Sequence, residues 1–227
     1  MNKETVDPKE IGTLLQDGAA ELGIVLTTEH LQAFGLYLLE LRAWGKHINL
    51  IKRADDREII SKDFVDSLTI LKYLPPGSLV ADLGSGAGFP GIPVKIVRPD
   101  LIVCLLETIQ KKIFFLRNLE RVLGLRGMKI CGAGKGKEQV EEWGEFDIVV
   151  SRAFGSLQKL SSIGGGLLKK GGILLAMKGK KGKEELEVSL PFLEEMGFEK
   201  SFVEQIRLPL LGHERTLIGL KKKRGFT

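Results

Sequence analysis

Cysteine and histidine are scarce in this chain and long apolar runs are missing, and each lack removes a class of function. Only two cysteines occur in 227 residues. Cys104 and Cys131 both sit in short apolar runs, as buried thiols do, rather than as disulfide partners or metal ligands. Three histidines without close pairing give no metal site. No run approaches the ~18 apolar residues needed to span a bilayer, and the charged stretch Met1 to Leu15 has no apolar segment of secretory length. The expectation is a cytoplasmic monomer with neither membrane nor metal as partner.

What is present is enough for one substantial core with an appendage, though not for two large domains: 43% of the residues are hydrophobic and 28% charged. A net charge of +5 and a pI near 9.1 favour an anionic partner without separating nucleic acid from other anions. Glycine is plentiful, and its most informative cluster is the run Val80 to Gly91, V-A-D-L-G-S-G-A-G-F-P-G. A chain turning sharply from strand to helix beside a ligand needs residues that accept positive φ and let the ligand approach the backbone. Gly84, Gly86 and Gly88 meet both needs.

The run fits two frames. Gly84-x-Gly86-x-Gly88 preceded by Asp82 is the frame that wraps the amino-acid end of S-adenosylmethionine (SAM). Gly86-x-Gly88-x-x-Gly91 is the dinucleotide frame, in which a helix start meets a pyrophosphate. Asp82, placed to hold polar groups at the turn, favours the first. So do Pro90 and Pro93, an unusual helix start for packing against a pyrophosphate.

Before this loop the pattern is helical: Leu31, Phe34, Leu38 and Leu41 follow the cap candidates Thr27 and Thr28, and Ile60, Phe64, Leu68 and Leu71 repeat the spacing. Pro75-Pro76-Gly77 closes the region. Short apolar runs then alternate with helices: Leu79 to Leu83, Leu101 to Leu106, Met128 to Cys131, Phe146 to Val150 and Ile173 to Met177. Helices are readable at Gln110 to Leu123 and Lys183 to Met196. This alternation means a parallel sheet wrapped by helices. Strands near Phe202 to Ile206 and Arg215 to Leu220 are joined only by a loop, so the last is expected to be antiparallel. The expected division is a helical extension over 1–75, a cofactor-binding domain over 76–221 and a basic tail over 222–227.

Glu107 closes the second strand, where an acid either faces the ribose of a bound nucleoside, in both frames, or is simply a surface glutamate at a strand end. Arg152 lies at the carboxyl end of the fourth strand in Ser151-Arg152-Ala153-Phe154. Its fork of donors suits a carboxylate, a phosphate, guanine O6 and N7, or a purely structural salt bridge. Lys178 ends the fifth strand beside Lys180-Lys181-Gly182-Lys183, a cluster suited to a phosphate backbone or to solvent.

Together, Asp82 to Gly91, Ser151 to Phe154, Met177-Lys178-Gly179 and Gly212-His213-Glu214-Arg215 resemble the bacterial small-subunit rRNA guanine-N7 methyltransferases of the RsmG/GidB family. Trp44 to Ile51 and Asp66-Ser67-Leu68 are similar to two further elements of that family. The resemblance runs from about Leu31 to Leu220. It implies a class I SAM-dependent methyltransferase, α/β and Rossmann-like, with a mostly parallel seven-stranded sheet. Its implied reaction is N7-methylation of a guanosine in the 530 loop of 16S rRNA in the small ribosomal subunit, with SAM as donor. Carried over by position, Asp82, Gly84, Gly86, Gly88, Phe89, Glu107, Thr108, Ile109 and Arg152 would form the cofactor site. Lys135 and Gly136 align with the adenine-contact region, where no acid falls in register unless Glu138 shifts. Arg152 and Lys178 are the expected catalytic residues. His47, Asn49, Lys178, Lys180, Lys181 and Arg215 are the expected RNA contacts. Asp63 departs from the family, which commonly has histidine there. Two other readings stay open: a catalytically silent RNA-binding or assembly protein on the same fold, and a nicotinamide-dependent oxidoreductase using the second glycine frame.

Overall fold

The computed structural model describes residues 8–51, 55–132 and 145–223. Apolar strands form its centre: β1 (Leu79–Leu83), β2 (Ile102–Glu107), β3 (Met128–Gly132), β4 (Phe146–Arg152), β5 (Leu168–Lys178), β6 (Phe198–Arg207) and β7 (Glu214–Lys222). They make one seven-stranded sheet in the order β3-β2-β1-β4-β5-β7-β6. Strands β1 to β5 run parallel. The short link between β6 and β7 allows only antiparallel pairing, and β7 inserts between β5 and β6. The seven strands and the antiparallel last strand are as the sequence leads one to expect. Two boundaries need correction. β5 begins at Leu168, ahead of the apolar run, and Lys222 belongs to β7, where its Nζ donates to Leu168 O at 2.8 Å instead of opening a solvated tail.

Helices α5 (Gly91–Val97) and α6 (Gln110–Leu123) pack on one face through Ile92, Val94, Phe115, Leu116 and Leu119. The other face is covered by α7 (Leu157–Gly164) and α8 (Gly182–Glu195), through Leu157, Leu160, Leu186 and Leu193. The connections after β1 and β4, neighbours at the sheet centre, therefore leave for opposite faces. Such a divergence opens a crevice at the carboxyl ends of these strands.

The N-terminal helices form one wall of that crevice. α1 (Pro8–Glu21) arises in a stretch whose charge hides the buried pair Leu15 and Ala19. α2 (Thr28–Gly45) begins at a reciprocal cap: Thr27 Oγ1 accepts from His30 N, and Thr27 N donates to His30 Nδ1. α3 (Asp56–Ile59) and α4 (Asp66–Leu68) are joined by a π-helical turn, Ile60–Val65. Ile60, Phe64 and Leu68 are buried as their spacing predicts, and the wider turn also takes Ser61 and Asp63 into the interior. One apolar cluster unites these helices with the sheet, for Phe34, Tyr37 and Phe64 share it with Phe89, Ile92, Val150 and Leu217. Both cysteines are buried and free. Among the described residues no group of histidine, cysteine and carboxylates suits a metal ion, and no helix is long and apolar enough to cross a membrane.

Candidate functional site

The glycine run turns from β1 into α5 at the head of the crevice. Gly84, Gly86 and Gly88 all have positive φ, at 75°, 59° and 99°. At Gly84 the freedom from a side chain matters twice, because a Cβ there would lie 2.6 Å from the Phe154 ring. The turn is tied to β2: Gly84 N and Ser85 N both donate to Leu106 O, at 2.9 and 3.2 Å. It is tied to α2 as well, through Tyr37 OH donating to Ala87 O at 2.6 Å.

Asp82 is fully buried beneath this turn. Its Oδ2 accepts from Gly91 N at 2.8 Å, while Oδ1 has no partner, and Ser85 Oγ is likewise buried and unpartnered. Loss of water around the carboxylate lifts its pKa to about 7, against the lowering pull of the Gly91 N–H and Arg152. Two buried polar atoms left unmatched beside a glycine turn are the mark of a polar ligand site.

Glu107 braces the loop and the start of α6 together. One oxygen accepts from Gly86 N at 2.9 Å, and the other from Thr108 N and Ile109 N at 2.6 and 2.9 Å. Thr108 and Ile109 are exposed at the crevice rim. The Phe89 ring is packed inward, stacked on Tyr37 at 5.4 Å between centroids, so it offers a ligand its backbone rather than its face.

Arg152 reaches from β4 across the crevice. Its guanidinium meets Asp63 at 2.8 Å, donates to Lys62 O at 2.7 Å, lies 3.5 Å from Asp66, and sits over the Phe89 ring at 4.8 Å. Asp66 is held by a second arginine, Arg215, whose Nε donates to Oδ1 at 2.7 Å and whose NH2 donates to Oδ2 at 2.5 Å. Burial raises the Asp66 pKa, and Arg215 and then Arg152 oppose that rise. Asp63, the position that departs from the resembled family, thus supplies a carboxylate where an imidazole would stand.

Lys178 and Arg215 are the two expected phosphate contacts whose placement differs most from expectation. Lys178 Nζ donates to Gly155 O at 2.5 Å and to Glu185 at 2.9 Å, and Glu185 accepts from Leu157 N at 2.7 Å. The lysine therefore braces the turn after β4, where Ala153 and Gly155 have positive φ. Arg215 is matched by Asp66. Both cations are satisfied inside the fold, because strands β5 and β7 aim them at carboxylates that sequence order does not reveal. Lys180 and Lys181 are exposed in the β5–α8 turn, and His47 and Asn49 are exposed just after α2. Lys135 and Gly136 lie outside the described residues. Sequence reasoning missed Tyr37, Ser85, Asp66 and Glu185 as parts of the site. Tyr37 was hidden on an apolar helix face, and only the Asp-Ser-Leu element hinted at Asp66.

A seven-stranded sheet in this order, parallel except for an antiparallel β7 inserted between β5 and β6, with a glycine turn after β1, is the fold of the SAM-dependent methyltransferases. Solved structures agree: a methyltransferase from Pyrococcus furiosus superposes with a TM-score of 0.57 at 16% identity, over 84% of this chain and 98% of that one. A SAM-dependent methyltransferase from Aquifex aeolicus does so at 0.53 and 18%, over 72% and 92%. The chain belongs to the GidB family, rRNA small subunit methyltransferase G, which it matches over residues 30–216. The ribosomal RNA small subunit methyltransferase G of Geobacter metallireducens is 40% identical over 95% of this chain and 98% of its own length. That of Deinococcus radiodurans is 37% identical over 93% and 85%.

Proposed function

We propose that this chain transfers the methyl group of SAM to N7 of a guanosine in the 530 loop of 16S rRNA. The observation that carries the cofactor assignment is the pair of unmatched buried atoms, Asp82 Oδ1 and Ser85 Oγ, beside the glycine turn. A carboxylate and a hydroxyl so placed fit the ammonium and carboxylate of an amino-acid ligand. Glu107 fits a ribose hydroxyl, since its Oε2 accepts only from Gly86 N and keeps a lone pair free, whereas Oε1 already accepts from Thr108 N and Ile109 N. Ile109 and the backbone at Thr108 flank the base, with Lys135 and Gly136 as further contacts by family position. SAM, when bound, supplies a methyl group activated by its sulfonium.

Guanine N7 carries a lone pair and no proton, so the acceptor needs no general base. Catalysis is then a matter of alignment, which in favourable cases contributes roughly 7–11 kcal/mol. Arg152, held over Phe89 by Asp63, is the group that orients the SAM carboxylate or the guanine. Lys178 keeps the turn carrying Phe154 against Gly84. Lys180 and Lys181 hold phosphates on one side of the crevice, and His47 and Asn49 close it from the helical wall. Membership of an rRNA methyltransferase family favours this reading over the nicotinamide frame and over a silent binding protein.

Transfer of labelled methyl from SAM to small subunits lacking the modification, followed by mapping of the label, tests it. Label at a single 7-methylguanosine in the 530 loop is expected; label elsewhere, or none despite SAM binding, refutes the assignment. A second expectation separates the lysines. Lys178→Gln should lower kcat and leave the salt dependence of subunit binding unchanged, because its ammonium is already matched. Lys180→Gln with Lys181→Gln should lower the logarithmic salt slope by roughly 0.7 for each phosphate left without its cation. A flattened slope in the Lys178 variant would make that lysine a phosphate ligand instead.

A further inference from the structure

α6 starts at the rim of the crevice, directly after the Glu107 brace, and its inner side buries Ile113, Phe115, Leu116 and Leu119. Its outer side carries Lys111, Phe114 and Arg117 at three-residue spacing, all exposed and on one face. Phe114 is 52% exposed, and Ile109 at the head of the helix is 49% exposed. Among the described residues neither Lys111 nor Arg117 enters a salt bridge, in contrast to Arg152, Arg215 and Lys178. An aromatic ring presented to water between two exposed cations, of which Arg117 also feels Glu120 one turn on, has the make-up of a single-strand nucleic-acid contact. There the ring stacks on a base and the cations meet the phosphates on either side.

The location agrees. The β2 and β5 ends, which lead into α6 and into the Lys180–Lys181 turn, are separated by β1 and β4 and so stand about 14 Å apart along the carboxyl edge, three strand spacings of ~4.8 Å. The glycine turn and Arg152 lie between them. A strand crossing the crevice from one cationic element to the other would bring its middle nucleotide over the site.

We propose that the outer face of α6 binds the single-stranded RNA on one side of the target guanosine, with Phe114 stacked on an unpaired base and Lys111 and Arg117 on the neighbouring phosphates. The inference rests on the RNA substrate reading above and adds a surface that reading does not use. It commits to stacking, which an aliphatic side chain cannot supply, and so excludes a merely apolar protein contact.

The experiment compares full-length wild type, Phe114→Ala, Phe114→Leu, Phe114→Trp and the pair Lys111→Gln with Arg117→Gln. The probe is small subunits lacking the modification; KM, kcat and filter retention are measured over a salt series, with SAM affinity by calorimetry. Phe114→Ala and Phe114→Leu should each raise KM and weaken retention about tenfold with SAM affinity unchanged, and Phe114→Trp should restore both. The double glutamine variant should lower the logarithmic salt slope by roughly 1.4, for two single-strand phosphates. Retention within twofold of wild type in Phe114→Ala, or a leucine variant that binds as phenylalanine does, would overturn the proposal. Wild type that retains subunits but transfers no methyl would refute the proposed reaction alone, because retention still reads the α6 contact.

Discussion

Arg152→Ala is expected to reduce methyl transfer by at least about a hundredfold and to lower the melting temperature by roughly 10 °C. The first effect follows from alignment, since a misplacement of about 1 Å at a reacting centre can cost ~10²-fold. The second follows from burial. The Asp63 side chain is 1% exposed, and the substitution deprives it of its guanidinium while Asp66 keeps Arg215. Removing one partner of a buried pair costs about 3–5 kcal/mol, and for a chain of this length each kcal/mol shifts melting by about 2–4 °C. Combining Arg152→Ala with Asp63→Asn removes the buried carboxylate that has lost this guanidinium, so melting should recover in part while transfer stays lost. Calorimetry and the labelled-methyl assay on both variants separate the two roles. Recovery of transfer in the double variant would make Arg152 a structural clamp only, and wild-type turnover in the single variant would remove it from the mechanism.

Asp82→Asn is expected to stabilise the protein at alkaline pH and to weaken SAM binding by tenfold or more. Burial holds the folded-state pKa near 7, above the ordinary carboxylate value of 3.8, so the folded chain retains a proton between about pH 4 and 7 that the unfolded chain has lost. Stability from this group therefore falls as pH rises through that window and is level above it. Asparagine carries no such dependence and keeps an acceptor for Gly91 N. Its advantage should be negligible near pH 4, grow toward pH 7 and then hold, on the order of 4 kcal/mol at most for a shift from 3.8 to about 7. The loss of affinity reflects a charged hydrogen bond to the ligand, worth about 1.5–3 kcal/mol. Denaturation across pH and calorimetric SAM titration read both effects. An Asp82→Asn protein that binds SAM as wild type does would leave Asp82 a buried structural acid.

The stability effect at Asp82 and the clamp at Arg152 come from different levels of organisation. Asp82 was legible as a candidate because the pattern that marks it is local: it lies near the end of a strand and precedes a glycine turn. Arg152 was legible as a candidate, yet its alternatives, ligand contact or structural ion pair, could not be separated until Asp63 and Asp66 were seen against it. The partners of Lys178 and Arg215 were out of reach for the same reason. A basic residue at the mouth of a sheet suggests phosphate, and only the fold shows a carboxylate already in reach. α1 escaped notice because its apolar contacts, Leu15 and Ala19, are few among charges, and it is the neighbouring turn that buries them.

The sequence by itself determined the parallel sheet, the place of its glycine turn, the acid after β2 and the family. These rest on apolar periodicity, turn residues and short spacing, all of which act between near neighbours. Tertiary structure decided which charges are free and which are matched. Arg152 meets Lys62 O across 90 positions and Arg215 meets Asp66 across 149. A buried charge is governed by what stands within a few ångströms of it, and chain order does not encode that distance until the helices have docked on the sheet.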